Sequence, residues 1–440
     1  MLPAALLATS LALTPAQSAK IDAVVAQVMQ SSHIPGLSLG IARKGHAVFL
    51  RGYGMRTCAS AARANAYTVY RIGSITKQFT AALVMQEADR SALPLNAELD
   101  GITVAQLLSQ TSGLVSYTDP GQTLDSALNA PTQFTPGTRW QYSNSNYYLL
   151  GTALQSVTKQ SYATLLAERI TGPLHMTSTT FAPPRVENAA QGCTWDGSAW
   201  QPAPDGTNDQ PDVAFSASAS SSNVPDLLTW LSSLYSGSVV AQDSFEQMTT
   251  SWTLADGTPT NYGFGFFTGT WYGLQVAQHP GYIDGFSAQD AIVLDDGTAF
   301  AILTNADRVS LIPLAKSLIE IVEPVKNSAM VATLSQPGVF EDPAITALVK
   351  DVIAQLAAGA IDRSLLTPGF ATSIDESRLA AYATTLRPLG KLEQALFNQS
   401  TTVDAITSDI YTLNFERGRL TLTLNLRGGK IDALTLERGR

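Results

Sequence analysis

The chain has 440 residues, 45% of them apolar and 14% charged, with a formal charge of −9. That length exceeds what one hydrophobic core usually serves, and the apolar share is ordinary for a folded chain, so disorder is excluded as the main state and two domains are expected. The acidic balance, without a long Lys/Arg run, argues against nucleic acid or an anionic membrane as principal partner; no metal ligand set can be built around two cysteines, and four scattered histidines argue against a zinc site.

Residues 1–19 read as a secretory signal. Leu2 to Leu13 is an apolar run, and Pro15 with the small-residue stretch Ala16-Gln17-Ser18-Ala19 follows it like a cleavage region, although no basic residue stands before Lys20. The expectation is a periplasmic or secreted protein. No later segment reaches ~18 uninterrupted apolar residues, so no integral membrane span is expected.

From Ile21 the apolar positions Val24, Val25, Val28 and Met29 describe an amphipathic helix that packs on a sheet. Two strands follow, Gly36 to Ala42 and Ala47 to Tyr53, joined at Arg43-Lys44-Gly45. A helix runs from near Ser74 to Ala88, and from Leu93 to about Gly237 the pattern is helices and polar loops. The period then switches to strands at 262–268, 274–278, 287–294 and 299–304, with Asp295-Asp296-Gly297 closing the last hairpin. A helix carrying Leu311, Leu314, Ala315, Leu318, Ile319 and Val322 on one face ends the unit. Strands at both ends with helices between them define an α+β fold, an antiparallel sheet flanked by helices with an inserted all-helical region, over residues 20–325.

Residues 326–343 form a Pro- and Gly-containing linker. Beyond it, at 344–440, Pro343 opens a helix with Ile345, Leu348, Val349, Val352, Ile353 and Leu356 on one stripe. Alternation at Tyr411, Leu413, Phe415, then Leu420 to Leu426, then Leu434 and Leu436 gives an antiparallel sheet. This small α+β domain contains no nucleophile constellation. Its expected role is accessory, with an unknown partner.

Two serines stand in nucleophile-like patterns. Gly36-Leu37-Ser38-Leu39-Gly40 matches the G-x-S-x-G elbow, but that elbow needs sheet strands before it and a helix after it. A turn and a second strand follow Ser38, which reads as a strand serine. Ser74-Ile75-Thr76-Lys77 instead opens a helix. A spacing of three residues puts Ser74 and Lys77 on one face. A lysine desolvated there can lose its proton and accept that of the serine hydroxyl. Phe79, Ala82 and Leu83 mark a core helix, where an idle lysine would be costly. Tyr142-Ser143-Asn144 follows a loop-like segment able to hold polar groups over Ser74. His279-Pro280-Gly281-Tyr282 offers a glycine beside which a backbone amide can approach a substrate carbonyl. His279 also admits a purely structural reading as a strand-end residue bonded to a loop. The series Tyr262, Phe264, Phe266 reads as strand-core alternation.

These pieces together resemble the serine β-lactamase and penicillin-binding-protein superfamily, and within it the class C β-lactamase-like hydrolases of the esterase and D-aminopeptidase branch. The similarity runs from about Ile21 to Asn305 through Tyr70-Arg71-Ile72-Gly73-Ser74-Ile75-Thr76-Lys77, Leu107-Leu108-Ser109-Gln110-Thr111-Ser112-Gly113, Pro136-Gly137 with Tyr142-Ser143-Asn144, Pro225-Asp226-Leu227 and His279-Pro280-Gly281. The resemblance implies that Ser74 is acylated, Lys77 takes its proton and Tyr142 shuttles protons to the leaving group. It implies that Asn144 holds Lys77 and a substrate amide, and that the amides of Ser74 and Tyr282, beside Gly281, form the oxyanion hole. No cofactor is implied.

The third motif departs from the Lys-Thr-Gly usual in β-lactamases and penicillin-binding proteins. His279-Pro280-Gly281 lacks a permanent cation and a hydroxyl for a substrate carboxylate, which shifts the expectation toward esters, amides or D-amino-acid peptides. Gln110 stands where relatives often carry histidine, and Ser218-Ala219-Ser220 replaces a glycine pair. The alternatives are a true β-lactamase or DD-peptidase acting on β-lactams or cell-wall peptides, and a non-catalytic sensor of the same fold. Cys58 and Cys193 form a disulfide if the protein is exported, or remain separate thiols.

Overall fold

The computed structural model describes residues 12–58, 61–119, 122–182, 186–196, 199–204, 210–307, 309–323, 343–403 and 406–438. The apolar start of the expected signal, residues 1–11, and the expected linker apart from Pro343 lie outside them. The first helix, α1 (Pro15–Ser31), begins earlier than its apolar stripe indicates. Thr14 caps it in a reciprocal pairing with Gln17, and Pro15 is set for the first helical turn, so Ala16–Ala19 are helical.

Strands β1 (Gly36–Arg43) and β2 (His46–Gly54) follow, then, among the helices of the central region, α2 (Thr76–Asp89), α3 (Asn144–Thr158), the short α4 (Pro211–Ser218) and α5 (Val224–Tyr235). The chain returns to the sheet through β3 (Phe267–Trp271), β4 (Leu274–Ile283), β5 (Phe286–Val293) and β6 (Ala299–Thr304), and closes on α6 (Ile312–Val322). The six-stranded sheet has the order β3-β4-β5-β6-β1-β2, all antiparallel, so the first and last strands of the unit are neighbours.

Alternation along the strands divides the apolar side chains between two cores. Leu37, Leu39, Ile41, Val276, Ala291, Val293, Phe300 and Ile302 face α1 and α6. Ala42, Ala277, Ala288, Ile292, Ala301 and Leu303 face the helical region, where Phe79, Leu83, Leu227, Trp230 and Leu231 pack. Helix α2 is buried almost all round, as an element between a sheet and further helices must be.

A separate core is built on α7 (Pro343–Ala358), α8 (Glu376–Leu386) and a four-stranded meander, β7 (Leu392–Val403), β8 (Ile406–Phe415), β9 (Gly418–Arg427) and β10 (Lys430–Arg438). The first of these four strands is absent from the reading of the sequence, because its start, Leu392-Glu393-Gln394-Ala395, shows no clean apolar alternation.

Two expectations need correction. Tyr262 to Phe266 is buried but is not a strand: Gly265 sits at φ +83° and the chain joins the sheet only at Phe267. Strand β4 does not stop at Gln278 but continues through His279-Pro280-Gly281 to Ile283. Cys58 and Cys193 are joined in a disulfide across 135 positions, which decides between the two readings of that pair. No helix among the described residues is long and apolar enough to cross a membrane.

Candidate active site

Ser74 lies in a single 3₁₀ turn, Gly73–Ile75, that leads into α2. Two glycines let this turn meet β4 backbone to backbone. Gly73 has φ +51°, and a Cβ there would come within 2.7 Å of the Tyr282 amide nitrogen. A Cβ on Gly281 would stand 2.0 Å from the Ile72 carbonyl oxygen. The Tyr282 amide is thereby held against the turn that carries Ser74. Thr76 braces the turn, donating to the Gly73 carbonyl at 2.7 Å and accepting from the Ser220 amide at 3.1 Å.

Lys77, one turn on, is fully buried. Its Nζ has three oxygen neighbours: Ser74 Oγ at 3.0 Å, Asn144 Oδ1 at 2.6 Å and the Ala217 carbonyl at 3.0 Å. Burial holds its pKa well below that of an ordinary lysine. Asn144, the first residue of α3, turns its Oδ1 to the amine and its Nδ2 to Thr118 Oγ1, to which it donates at 2.8 Å. The ring of Tyr142 lies over the amine, with its centroid 4.7 Å from Nζ, and it stacks nearly parallel to Phe267 at 6.4 Å.

Ala217 enters from a helix 140 residues away and contributes only backbone. Helix α4 is kinked there: Phe215 has φ 37° and ψ −138°, which turns the following carbonyls toward α2. Ser216 O accepts from Thr80 Oγ1 at 2.7 Å, and Ala217 O accepts from Lys77. No side-chain pattern marks such a contact.

Gln110 is buried at φ +63°, its Oε1 accepts from the Ser143 amide at 2.9 Å and from Asn146 Nδ2, and its carbonyl accepts from the Gln141 amide at 2.9 Å. It therefore fixes the Tyr142-Ser143-Asn144 segment from behind. Ser116 adds a bond to the Asn144 amide at 3.1 Å.

His279 is buried in β4 between Tyr262, Phe267 and Tyr142, with ring centroids 5.2–6.0 Å away. Its Nδ1 lies 2.6 Å from the Pro280 carbonyl, which can only accept, so Nδ1 carries the proton. Nε2 is then the acceptor for the Tyr262 hydroxyl at 3.3 Å. Burial, with the nearby Lys77 amine, lowers its pKa to about 3. The ring is neutral at working pH, and both its nitrogens are engaged by the protein.

Ser38 is enclosed in β1, its hydroxyl bonded to the Asn65 carbonyl at 2.7 Å and to the Tyr70 hydroxyl at 2.8 Å. The fold thus brings together Ser74, Lys77, Tyr142, Asn144, His279, Gly281 and Tyr282, and leaves Ser38 in the sheet. Among the described residues no group of three or more His, Cys, Asp or Glu side chains is placed to hold a metal ion.

An SxxK serine and lysine at the edge of an antiparallel sheet, closed by an Asn-bearing helix, define the β-lactamase and transpeptidase class of serine hydrolases. The sequence profile of the Beta-lactamase family matches residues 21–318, and the chain belongs to that family. It is 33% identical over 195 residues to Protein flp of Staphylococcus aureus, covering 38% of this chain and 39% of that protein. It is 26% identical over 311 residues to the D-aminopeptidase of Brucella ovis, covering 65% of this chain and 59% of that enzyme. The chain therefore spans less than two thirds of either relative. Among solved structures, the D-stereospecific amidohydrolase of Streptomyces sp. is similar at a TM-score of 0.56 and 26% identity, over 67% of this chain and 95% of that one. The octameric penicillin-binding protein homologue of Pyrococcus abyssi, at 0.60 and 19%, shares the fold over 96% of this chain and 98% of its own.

Replacing Gln110 with Leu leaves two buried donors, the Ser143 amide and Asn146 Nδ2, without their acceptor. The expected result is a loss of about 1–3 kcal/mol in stability by denaturant titration, together with slower reaction with a serine-directed fluorophosphonate. Ser38→Ala is expected to keep that rate within about 2-fold, because its hydroxyl serves only the sheet.

Proposed function

We propose that the chain is a serine hydrolase that cleaves ester or amide bonds, D-amino-acid amides and peptides included, through an acyl-enzyme on Ser74. The observation that carries this reading is the set of three oxygens around Lys77 Nζ. A neutral amine has two N–H bonds and one lone pair. Asn144 Oδ1 and the Ala217 carbonyl can only accept, so they take the two N–H bonds, and the lone pair is left for the hydroxyl proton of Ser74.

Lys77 takes that proton as Ser74 Oγ bonds to the substrate carbonyl carbon. The oxyanion that forms faces the amides of Ser74 and Tyr282. Collapse breaks the bond to the alcohol or amine, which leaves with a proton returned from Lys77 through Tyr142. Water then attacks the ester on Ser74, giving its proton to the same pair, which passes it to Ser74 Oγ as the acid leaves, so that the serine and the neutral amine are restored. Asn144 holds the amine and offers its amide to the substrate.

The third motif argues for esters and amides over β-lactams. In place of a cation it presents a neutral imidazole committed to Pro280 and Tyr262. One charge-assisted hydrogen bond to a carboxylate is worth roughly 1.5–3 kcal/mol, or about 10- to 150-fold in efficiency. The names of the similar amidohydrolase and D-aminopeptidase support the amide side of this choice. The disulfide supports export to the periplasm or the medium, where such bonds persist. The unit from Pro343 onward is proposed as an accessory domain.

Intact-mass measurement after a fluorophosphonate is expected to show one adduct on the wild-type chain and none on Ser74→Ala; labelling of the variant would refute the assignment. Lys77→Ala and Tyr142→Phe should each slow acylation or deacylation by at least about 10²-fold. The double variant should be little worse than the poorer single, since the two move one proton between them. A p-nitrophenyl ester should be turned over more efficiently than nitrocefin, with no acid-side rise between pH 5.5 and 8.5. The His279 ring stays neutral through that window, because its depressed pKa of about 3 keeps the proton off until far lower pH.

A further inference from the structure

The buried carboxyl of Asp290, on β5 behind the catalytic turn, has no place in the mechanism above. It is fully buried, and no cation pairs with it among the described residues, which is an expensive position for an acid. Its Oδ1 accepts from Gln78 Nε2 at 2.8 Å and from the His279 amide at 3.0 Å. Its Oδ2 is buried with no hydrogen-bond partner among the described residues. Gln78 is held in the orientation that donates, because its Oε1 accepts from Trp230 Nε1 at 2.9 Å. One oxygen therefore joins three elements: α5 through Trp230 and Gln78, α2 through the residue after Lys77, and β4 through His279.

These are the two sides of the site that must stay in register. Helix α2 carries Lys77 and, through its entry turn, Ser74. Strand β4 carries the Tyr282 amide three residues beyond His279. On the sheet, His279 and Asp290 are directly paired, so the carboxyl projects from the same face as the imidazole.

From this arrangement the geometry points to Asp290 as a positioning residue, whose side-chain oxygen clamps helix α2 to strand β4 and so sets the distance between the Ser74 hydroxyl and the Tyr282 amide. The inference rests on the hydrolase reading. What the clamp needs is an acceptor oxygen; the negative charge is a burden. Burial pushes the Asp290 carboxyl up to about 7, and the bonds from Gln78 and His279 only partly offset that rise. Of the titratable groups on the packed elements, Lys77 on α2 and His279 on β4 adjoin its two partners, both with depressed pKa values. Glu87 and Asp89 lie at the far end of α2, Tyr282 lies past Gly281 on β4, Asp226 and Tyr235 lie at the two ends of α5, and β6 carries none.

The sign follows from linkage. An acid whose folded pKa is raised binds more protons folded than unfolded between about 4 and 7, so its contribution to stability declines as pH climbs through that window. Above it, the charged form weakens the fold around the clamp.

The test uses the full chain, a fluorophosphonate and p-nitrophenyl acetate. Asp290→Asn keeps an acceptor oxygen without charge. It should retain kcat within about 3-fold at pH 6 and gain thermal stability over wild type at pH 8.5, with a smaller gain at pH 5.5. Asp290→Leu removes the acceptor and should lower kcat at least about 10-fold with KM changed less than about 3-fold, since small displacements of a catalytic pair have effects of that size or larger. Gln78→Met cuts the same clamp from the helix side without touching the sheet, and should reproduce the kcat loss if Asp290→Leu does not fold. Full kcat in Asp290→Leu or in a folded Gln78→Met would overturn the proposal. So would an Asp290→Asn variant as impaired as Asp290→Leu, which would mean the charge itself is required. If the wild-type chain neither labels nor hydrolyses the ester, the hydrolase reading has failed; if wild type is active and the variants match it, only the clamp has.

Discussion

The proposed chemistry depends on keeping one lysine amine neutral inside the protein. Lys77 sits in the first turn of α2, where the positive end of the helix dipole disfavours an ammonium, and it faces Asn144 at the first turn of α3, where the same holds. Desolvation adds to both effects, because α2 is surrounded by sheet and helices. The acceptors at Asn144 and Ala217 oppose them, yet they also fix where the lone pair points. A buried lysine that lacked such oxygens would have no defined direction; one with a carboxylate beside it would stay charged.

The second constraint is backbone proximity. Gly73 and Gly281 have no Cβ to separate the 3₁₀ turn from β4, and the sheet therefore brings the Tyr282 amide against the turn that carries Ser74, as the proposed oxyanion hole requires. Around that contact the protein is electrically quiet. His279 is neutral, its Nδ1 proton given to the Pro280 carbonyl, and the aromatic rings of Tyr142, Tyr262 and Phe267 close over it. Low polarity on that side strengthens each remaining hydrogen bond at the reacting atoms, and it removes the fixed cation that would select a carboxylate.

Much of this was legible in the residues. The strands Gly36–Arg43 and Ala299–Thr304 follow from apolar runs bounded by turns, and the pairing of Ser74 with Lys77 at the entry to α2 follows from a three-residue spacing before an apolar helix. Ser38 could be set aside because the element after it is a strand. Three features were hidden for physical reasons. The Ala217 carbonyl is a backbone atom presented by a kink at Phe215, which leaves no trace in side-chain type. Tyr262 to Phe266 alternates like a strand because its aromatics are buried, but Gly265 at positive φ breaks the ladder. The partners of Gln110 lie 33 and 36 positions along the chain, and those of Asp290 lie 11 and 212, separations that no local pattern encodes.

The protonation state of Lys77 is the central claim and can be read directly. In the full-length chain labelled with ¹³C at lysine Cε, the resonance absent from Lys77→Arg identifies Lys77, and its shift can be followed from pH 5 to pH 11. The account predicts a midpoint far below the ordinary lysine value of about 10.4, with the neutral amine populated at the pH where Ser74 is acylated. A Lys77 that titrates near 10.4 while Ser74 still reacts at neutral pH would contradict it.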